Sequence, residues 1–283
     1  MKQILFVMVC GFIMMKAGAQ HQLVKLWETD SLLKVPESVL YDEKNQVLYV
    51  SNIDGKDPWG KDGKGSIGKV SLDGKIIAAE WVTGLHAPKG MGLYNGRLYV
   101  ADLSEIAVID VTKGAIEKRI PVDEAVSLND ISIDKAGTLY VSDSRSRKVF
   151  GIPVNAQNEY WIALDSSQLK GPNGVLVYND ALYVLDAGIM YHFKHSKKEK
   201  SFIKITEGME GGTDGIENVT GNEFLVSTWS GVVYYVYADG TKQVLMDGRE
   251  QKINSADIGY DAKRRIVYVP TFWKNTLAAY ELK

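Results

Sequence analysis

The tripeptide Leu-Tyr-Val recurs as Leu48-Tyr49-Val50, Leu98-Tyr99-Val100, Leu139-Tyr140-Val141 and Leu182-Tyr183-Val184, and this repeat constrains the fold more than any other feature. Successive tyrosines lie 50, 41 and 43 residues apart. Leu225-Val226 and Tyr268-Val269 occupy the corresponding places in two further units. Between the runs stand short alternating segments and turns rich in Gly, Asp and Asn, with no sustained helical periodicity. An all-β repeat of this period is the signature of propeller blades of four strands each. The expected fold is an all-β, six-bladed β-propeller forming one domain over residues 20–283.

A second element precedes each run by about a dozen residues. Its copies are Glu37-Ser38-Val39, Lys89-Gly90-Met91, Asn129-Asp130-Ile131, Asn173-Gly174-Val175, Asp214-Gly215-Ile216 and Ala256-Asp257-Ile258. These read as the starts of the innermost strands, which makes the Leu-Tyr-Val runs the second strands. Asp73-Gly74 and Asp239-Gly240 read as hairpin turns between third and fourth strands. The last unit stops after three strands. Residues 22–28 read as the missing fourth, so the ring is expected to close by pairing of N- and C-terminal strands, which removes an exposed edge. Residues 54–65 form an insertion in the first blade whose Gly and Lys content suggests mobility.

Residues 1–19 read as a secretory signal peptide. Lys2 is followed by an apolar run from Ile4 to Met15, and Ala17-Gly18-Ala19 offers a small-residue cleavage site. The apolar run is too short for a span, which takes roughly 20 residues. The expected location is therefore periplasmic or secreted, with no membrane association after cleavage. Cys10 is the single cysteine and falls in the leader, so the remaining chain cannot mispair in an oxidising compartment. The 33 basic and 35 acidic residues provide no positive field for nucleic acid, and the expected partner is a small-molecule substrate or ligand.

Equivalent residues of a propeller lie on a ring about its axis. The first residues of the inner strands are Glu37, Lys89, Asn129, Asn173, Asp214 and Ala256, so five of the six are polar or charged. Convergent carboxylate and amide oxygens suit a hard divalent cation, calcium above all. They also suit a wet channel bridged by water, and the ring alone does not choose. A wider ring, Asn52, Asp102, Asp143, Asp186, Thr228 and Thr271, follows the second strands and reads mainly as turn-stabilising. Trp229 and Trp273 stand beside it and could wall a pocket.

Pro36-Glu37-Ser38, Asn129-Asp130, Asn173-Gly174 and Asp214-Gly215, in this blade order, resemble the SMP-30/gluconolactonase/LRE-like family of six-bladed propellers. The resemblance implies that Glu37, Asn173 and Asp214 hold one divalent metal. It further implies that Asn129, with Asp130 beside it, meets substrate or a water on the metal. Metal-assisted hydrolysis of lactones or related esters follows, with Asp214 and Asn129 as catalytic residues. Two departures stand out. Sugar-lactone members carry an Arg two residues before the pocket Asn, where this chain has Ser127, which argues against aldonolactones as substrates. Lys89 puts a positive charge in the inner ring, where it could bind a carboxylate or phosphate of a ligand. The alternative is a non-catalytic ligand-binding propeller in which Lys89 pairs with Glu37 and replaces the metal. His86 is a further possible base near the pocket, or a plain loop residue.

Overall fold

The Leu-Tyr-Val runs are apolar without interruption because both faces of each strand are covered. Side chains alternate across a strand. Leu48 and Val50 therefore pack against Tyr268 and Leu277 on one side, while Tyr49 packs with Met91 and Leu98 on the other. One blade on, Leu98 and Val100 face back to Tyr49, and Tyr99 faces forward to Leu139 and Val141. Each second strand thus seals two blade interfaces, and the core is a series of such interfaces around a ring. Full burial of one such aliphatic side chain contributes about 1.5–3 kcal/mol.

The computed structural model describes residues 20–195 and 200–283. It contains six antiparallel four-stranded sheets arranged as the blades of a propeller. The innermost strands are Pro36–Asp42, Pro88–Tyr94, Leu128–Ile133, Pro172–Tyr178, Thr213–Thr220 and the short Gly259–Asp261. The second strands are Val47–Asn52, Arg97–Asp102, Thr138–Asp143, Ala181–Asp186, Glu223–Thr228 and Ile266–Pro270. One 3-10 turn, Phe272–Lys274, is the single helical element among the described residues, and none of their helices is long and apolar enough to cross a membrane. The leader read at 1–19 lies outside the described residues.

In the sixth blade, Leu23–Glu28 lies antiparallel to Leu277–Leu282, with Leu23 opposite Leu282 and Glu28 opposite Ala278. Gln22 and Lys283 exchange backbone hydrogen bonds of 3.1 and 2.9 Å just beyond that pair. The inner strand of this blade begins at Gly259 rather than at Ala256. Asp257 is engaged elsewhere: its N–H donates to Glu37 O at 2.9 Å and its carbonyl accepts from Val39 N, joining the sixth blade to the first. The second strand ends at Pro270, short of the Val267–Phe272 span that the sequence predicts for it, and the chain then turns through Phe272–Lys274.

Candidate functional site

The wider ring sets the inner one. Asp102 accepts hydrogen bonds from the backbone N–H groups of His86 and Ala87, Asp143 from those of Val126 and Ser127, and Asp186 from those of Lys170 and Gly171. Each buried carboxylate thereby ties down the loop leading into its own blade's inner strand. Lys89, Asn129 and Asn173 follow two residues after those tied segments. Close packing at the axis fixes what may come next: a Cβ on Gly174 would stand 2.1 Å from the backbone oxygen of Asp214. Asn173-Gly174 is therefore no hairpin turn, and the glycine is there for close approach.

Glu37, Lys89, Asn129, Asn173 and Asp214 line one cavity of about 400 Å³ at one mouth of the channel. Three oxygens in it are buried and have no hydrogen-bond partner: Glu37 Oε2, Asn173 Oδ1 and Asp214 Oδ1. Leaving such atoms unpaired costs about 1–3 kcal/mol each, more for charged groups. They are hard oxygen donors, two of them from carboxylates, and so fit a divalent cation. The donor set is two acids and an amide; the described residues hold no group of three or more His, Cys, Asp or Glu that could bind a metal. Asn129 is oriented by a relay in which its Nδ2 donates to Ser144 Oγ at 2.9 Å and Ser144 Oγ donates to Pro172 O at 2.7 Å. Its amide oxygen and second N–H remain for a ligand.

Lys89 is 2% exposed, yet no carboxylate lies within 4 Å of its ammonium among the described residues. Its Nζ donates to Pro58 O at 2.8 Å and lies 4.3 Å from the centre of the Trp59 ring. The ammonium is thus turned to the inserted loop rather than hydrogen-bonded to Glu37 or Asp214.

Burial pushes the Glu37 carboxyl up to about 7, with Asp130 adding to the rise and Lys89 opposing it. Burial also raises the Asp214 carboxyl well above the usual range, reinforced by the charges of Glu37 and Asp130 and opposed by Lys89 and the Asn173 amide. Lys89 is pushed down by burial, against the pull of Glu37 and Asp214. The cavity therefore holds two acids that give up protons reluctantly, a condition a bound cation would relieve.

Asp130, expected beside substrate, is not in this cavity. It sits one residue deeper on its strand and lines the cavity at the opposite mouth, with Ser38, Glu217 and Asp257. Its Oδ2 accepts from Val175 N at 2.7 Å and its Oδ1 from Ile131 N at 2.6 Å, so its oxygens link two blades. His86 is also elsewhere, its Nδ1 accepting from Gly63 N. Ser127 is buried and its hydroxyl donates to Asp143. Of the two tryptophans, Trp229 lines the site together with Phe272, whereas Trp273 does not. Sequence reasoning missed Pro58 and Trp59. The insertion that carries them, read as mobile from its Gly and Lys, folds over the site and meets Lys89; the one available signal was a lone Trp among residues that otherwise favour turns.

The sequence profile of the SMP-30/gluconolactonase/LRE-like region matches residues 35–215, which include Glu37, Asn129, Asn173 and Asp214. The chain belongs to this family. Among solved structures it is similar to a candidate gluconolactonase, with a TM-score of 0.68 and 14% identity over 94% of this chain and 93% of that one. It is also similar to a catalytically inactive virginiamycin B lyase from Staphylococcus aureus with quinupristin, with a TM-score of 0.63 and 14% identity over 93% and 99% of the two chains. A streptogramin B lyase structure matches with a TM-score of 0.64 and 13% identity over 93% and 98%. At these identities the likeness concerns the fold. No curated protein sequence matches significantly.

Proposed function

We propose that this member of the family is a metal-dependent hydrolase of lactones or related esters, with calcium held by Glu37, Asn173 and Asp214. The observation that carries the reading is the convergence of three buried, unpartnered oxygens from three blades in one cavity. A dication bound there would supply Lewis-acid polarisation of a carbonyl. The chain's own residues do the rest. Asn129, fixed through Ser144, presents its amide to the reacting group. Asp214, whose carboxyl is raised by burial, takes up the proton of the attacking water on the oxygen not committed to the cation and returns it to the departing alkoxide. Trp229 and Phe272 wall the cavity and limit water access. The reading in which Lys89 stands in for the metal has less support, because its ammonium is bonded to Pro58 O and not to the carboxylates.

The test is hydrolysis of a panel of simple lactones and aryl esters by protein stripped with a chelator and then reloaded. Calcium is expected to restore turnover, and Asp214→Asn to abolish it. Turnover that is indifferent to stripping, or absent across the panel after reloading, contradicts the proposal. The leader at 1–19 supports export to the periplasm or medium; N-terminal sequencing of the exported protein should then begin at Gln20.

A further inference from the structure

Resting on the reading of this cavity as a substrate site, we propose that its ligand is an amphiphilic anion: a carboxylate or similar group held by Lys89 and Arg145 about Trp59, with an apolar part against Trp229 and Phe272. Two cations converge on one indole. Lys89 Nζ lies 4.3 Å and the Arg145 guanidinium 4.9 Å from the centre of the Trp59 ring. Neither has a carboxylate within 4 Å among the described residues, although the chain carries 35 acidic side chains. Lys89 spends one of its three N–H donors on Pro58 O. Arg145 is exposed, and its side chain donates no hydrogen bond within the described chain, while its backbone N–H is anchored to Ser127 Oγ at 3.0 Å and Asp143 Oδ1 at 3.1 Å. The arginine is thus fixed at its root and open at its head.

Ring geometry completes the argument. Lys89, which lines the cavity, comes from the second blade, and Arg145, which reaches it through Trp59, from the third; Trp229 and Phe272 come from the fifth and sixth, so the cations stand across the axis from the aromatic wall. Trp229 and Phe272 meet edge to face, with centres 5.7 Å apart. A ligand spanning the mouth would put charge at one side and an apolar face at the other. Between them lie the open oxygens of Glu37, Asn173 and Asp214. An ester or lactone bond placed midway in such an anion would face the proposed cation, and the two basic residues would recognise the substrate without joining the chemistry.

The test uses probes matched in shape and different in charge: 3-phenylpropanoate, 3-phenylpropan-1-ol and 3-phenylpropylamine, titrated calorimetrically against the folded protein. The carboxylate should bind about tenfold more tightly than the alcohol, and the amine more weakly still. Arg145→Gln, an exposed change, should remove about tenfold of carboxylate affinity and leave the alcohol unchanged; Lys89→Met should do the same if it folds. Phenyl phosphate separates a preference for phosphate from one for carboxylate, and tight binding of either supports an anion site. Equal affinity for carboxylate and alcohol, no saturable carboxylate binding, or no effect of Arg145→Gln overturns the proposal. Repeating the series with and without calcium separates it from the hydrolase reading. Anion preference without any calcium binding leaves this inference standing and removes the other; calcium binding without anion preference does the reverse.

Discussion

The two mouths of the channel are built from the same strands by neighbouring residues, and they treat acidic side chains in opposite ways. At one mouth, Glu37 and Asp214 keep an oxygen each without a partner. At the other, Asp130 has both oxygens tied to backbone N–H groups of Ile131 and Val175, and Asp257 accepts from Ser38 Oγ at 2.6 Å. Both mouths enclose a cavity, of about 400 and 490 Å³. The larger cavity is therefore not the better candidate. Acids whose oxygens are consumed by the fold hold blades together, whereas acids left open cost stability unless a ligand answers them. At the open mouth a buried lysine, Lys89, lines the cavity with Trp59, Trp229 and Phe272, whereas the other mouth has Lys44 with Tyr41 and Tyr260.

That contrast can be broken by mutation. The largest effect is expected from Asp214→Asn, which should cut calcium-dependent turnover by about a hundredfold or more while leaving the melting temperature unchanged or higher, since it removes a reluctant buried charge. A steep loss of stability instead would place Asp214 with the structural acids. Asp130→Ala should do the opposite. It strands the N–H groups of Val175 and Ile131 and is expected to cost about 2–4 kcal/mol in urea denaturation, with calcium affinity kept.

Effects diminish away from the axis. On the outer strand of the sixth blade, burial pushes the Glu28 carboxyl up, but hydrogen bonds from Lys25, Lys274 and Thr276 outweigh it and hold the group at about 2. A depressed acid contributes stability above its ordinary range and loses it as pH falls through the folded value. Glu28→Gln should therefore cost on the order of 1–2 kcal/mol at pH 7, after allowance for screening, and nothing near pH 2. At the structural mouth, burial raises Glu217 to about 8, with Asp130 adding to the rise and a backbone hydrogen bond from Tyr260 opposing it. Here the folded state holds the proton longer than the unfolded chain, so stability declines as pH rises from about 4.5 to 8. Thermal melts of Glu217→Gln across that range should show a shallower decline than wild type.

The fold was legible because repeats report geometry directly. Six copies of one strand pair fix the blade count, and equivalence within the repeat groups Glu37, Lys89, Asn129, Asn173 and Asp214 without any knowledge of side-chain direction. The same logic failed one step along the strand and where the chain leaves the repeat. Asp130 belongs to the motif of its neighbour but lies one step down a strand, and a single step is enough to move it to the other mouth. Trp59 and Arg145 lie in loops, whose paths no period dictates, and their meeting over Lys89 is a tertiary event. Ala256-Asp257 matches its copies in sequence, yet ring closure draws Asp257 onto the first blade and delays the strand to Gly259.

The proposed dication binds at the open oxygens of one mouth and not at the acids of the other. Calorimetric calcium titration of wild type, Glu37→Gln and Asp130→Asn tests it most directly. One ion per chain is expected for wild type and for Asp130→Asn, and no binding for Glu37→Gln. Absence of binding to wild type, or affinity that survives Glu37→Gln and disappears with Asp130→Asn, would contradict it.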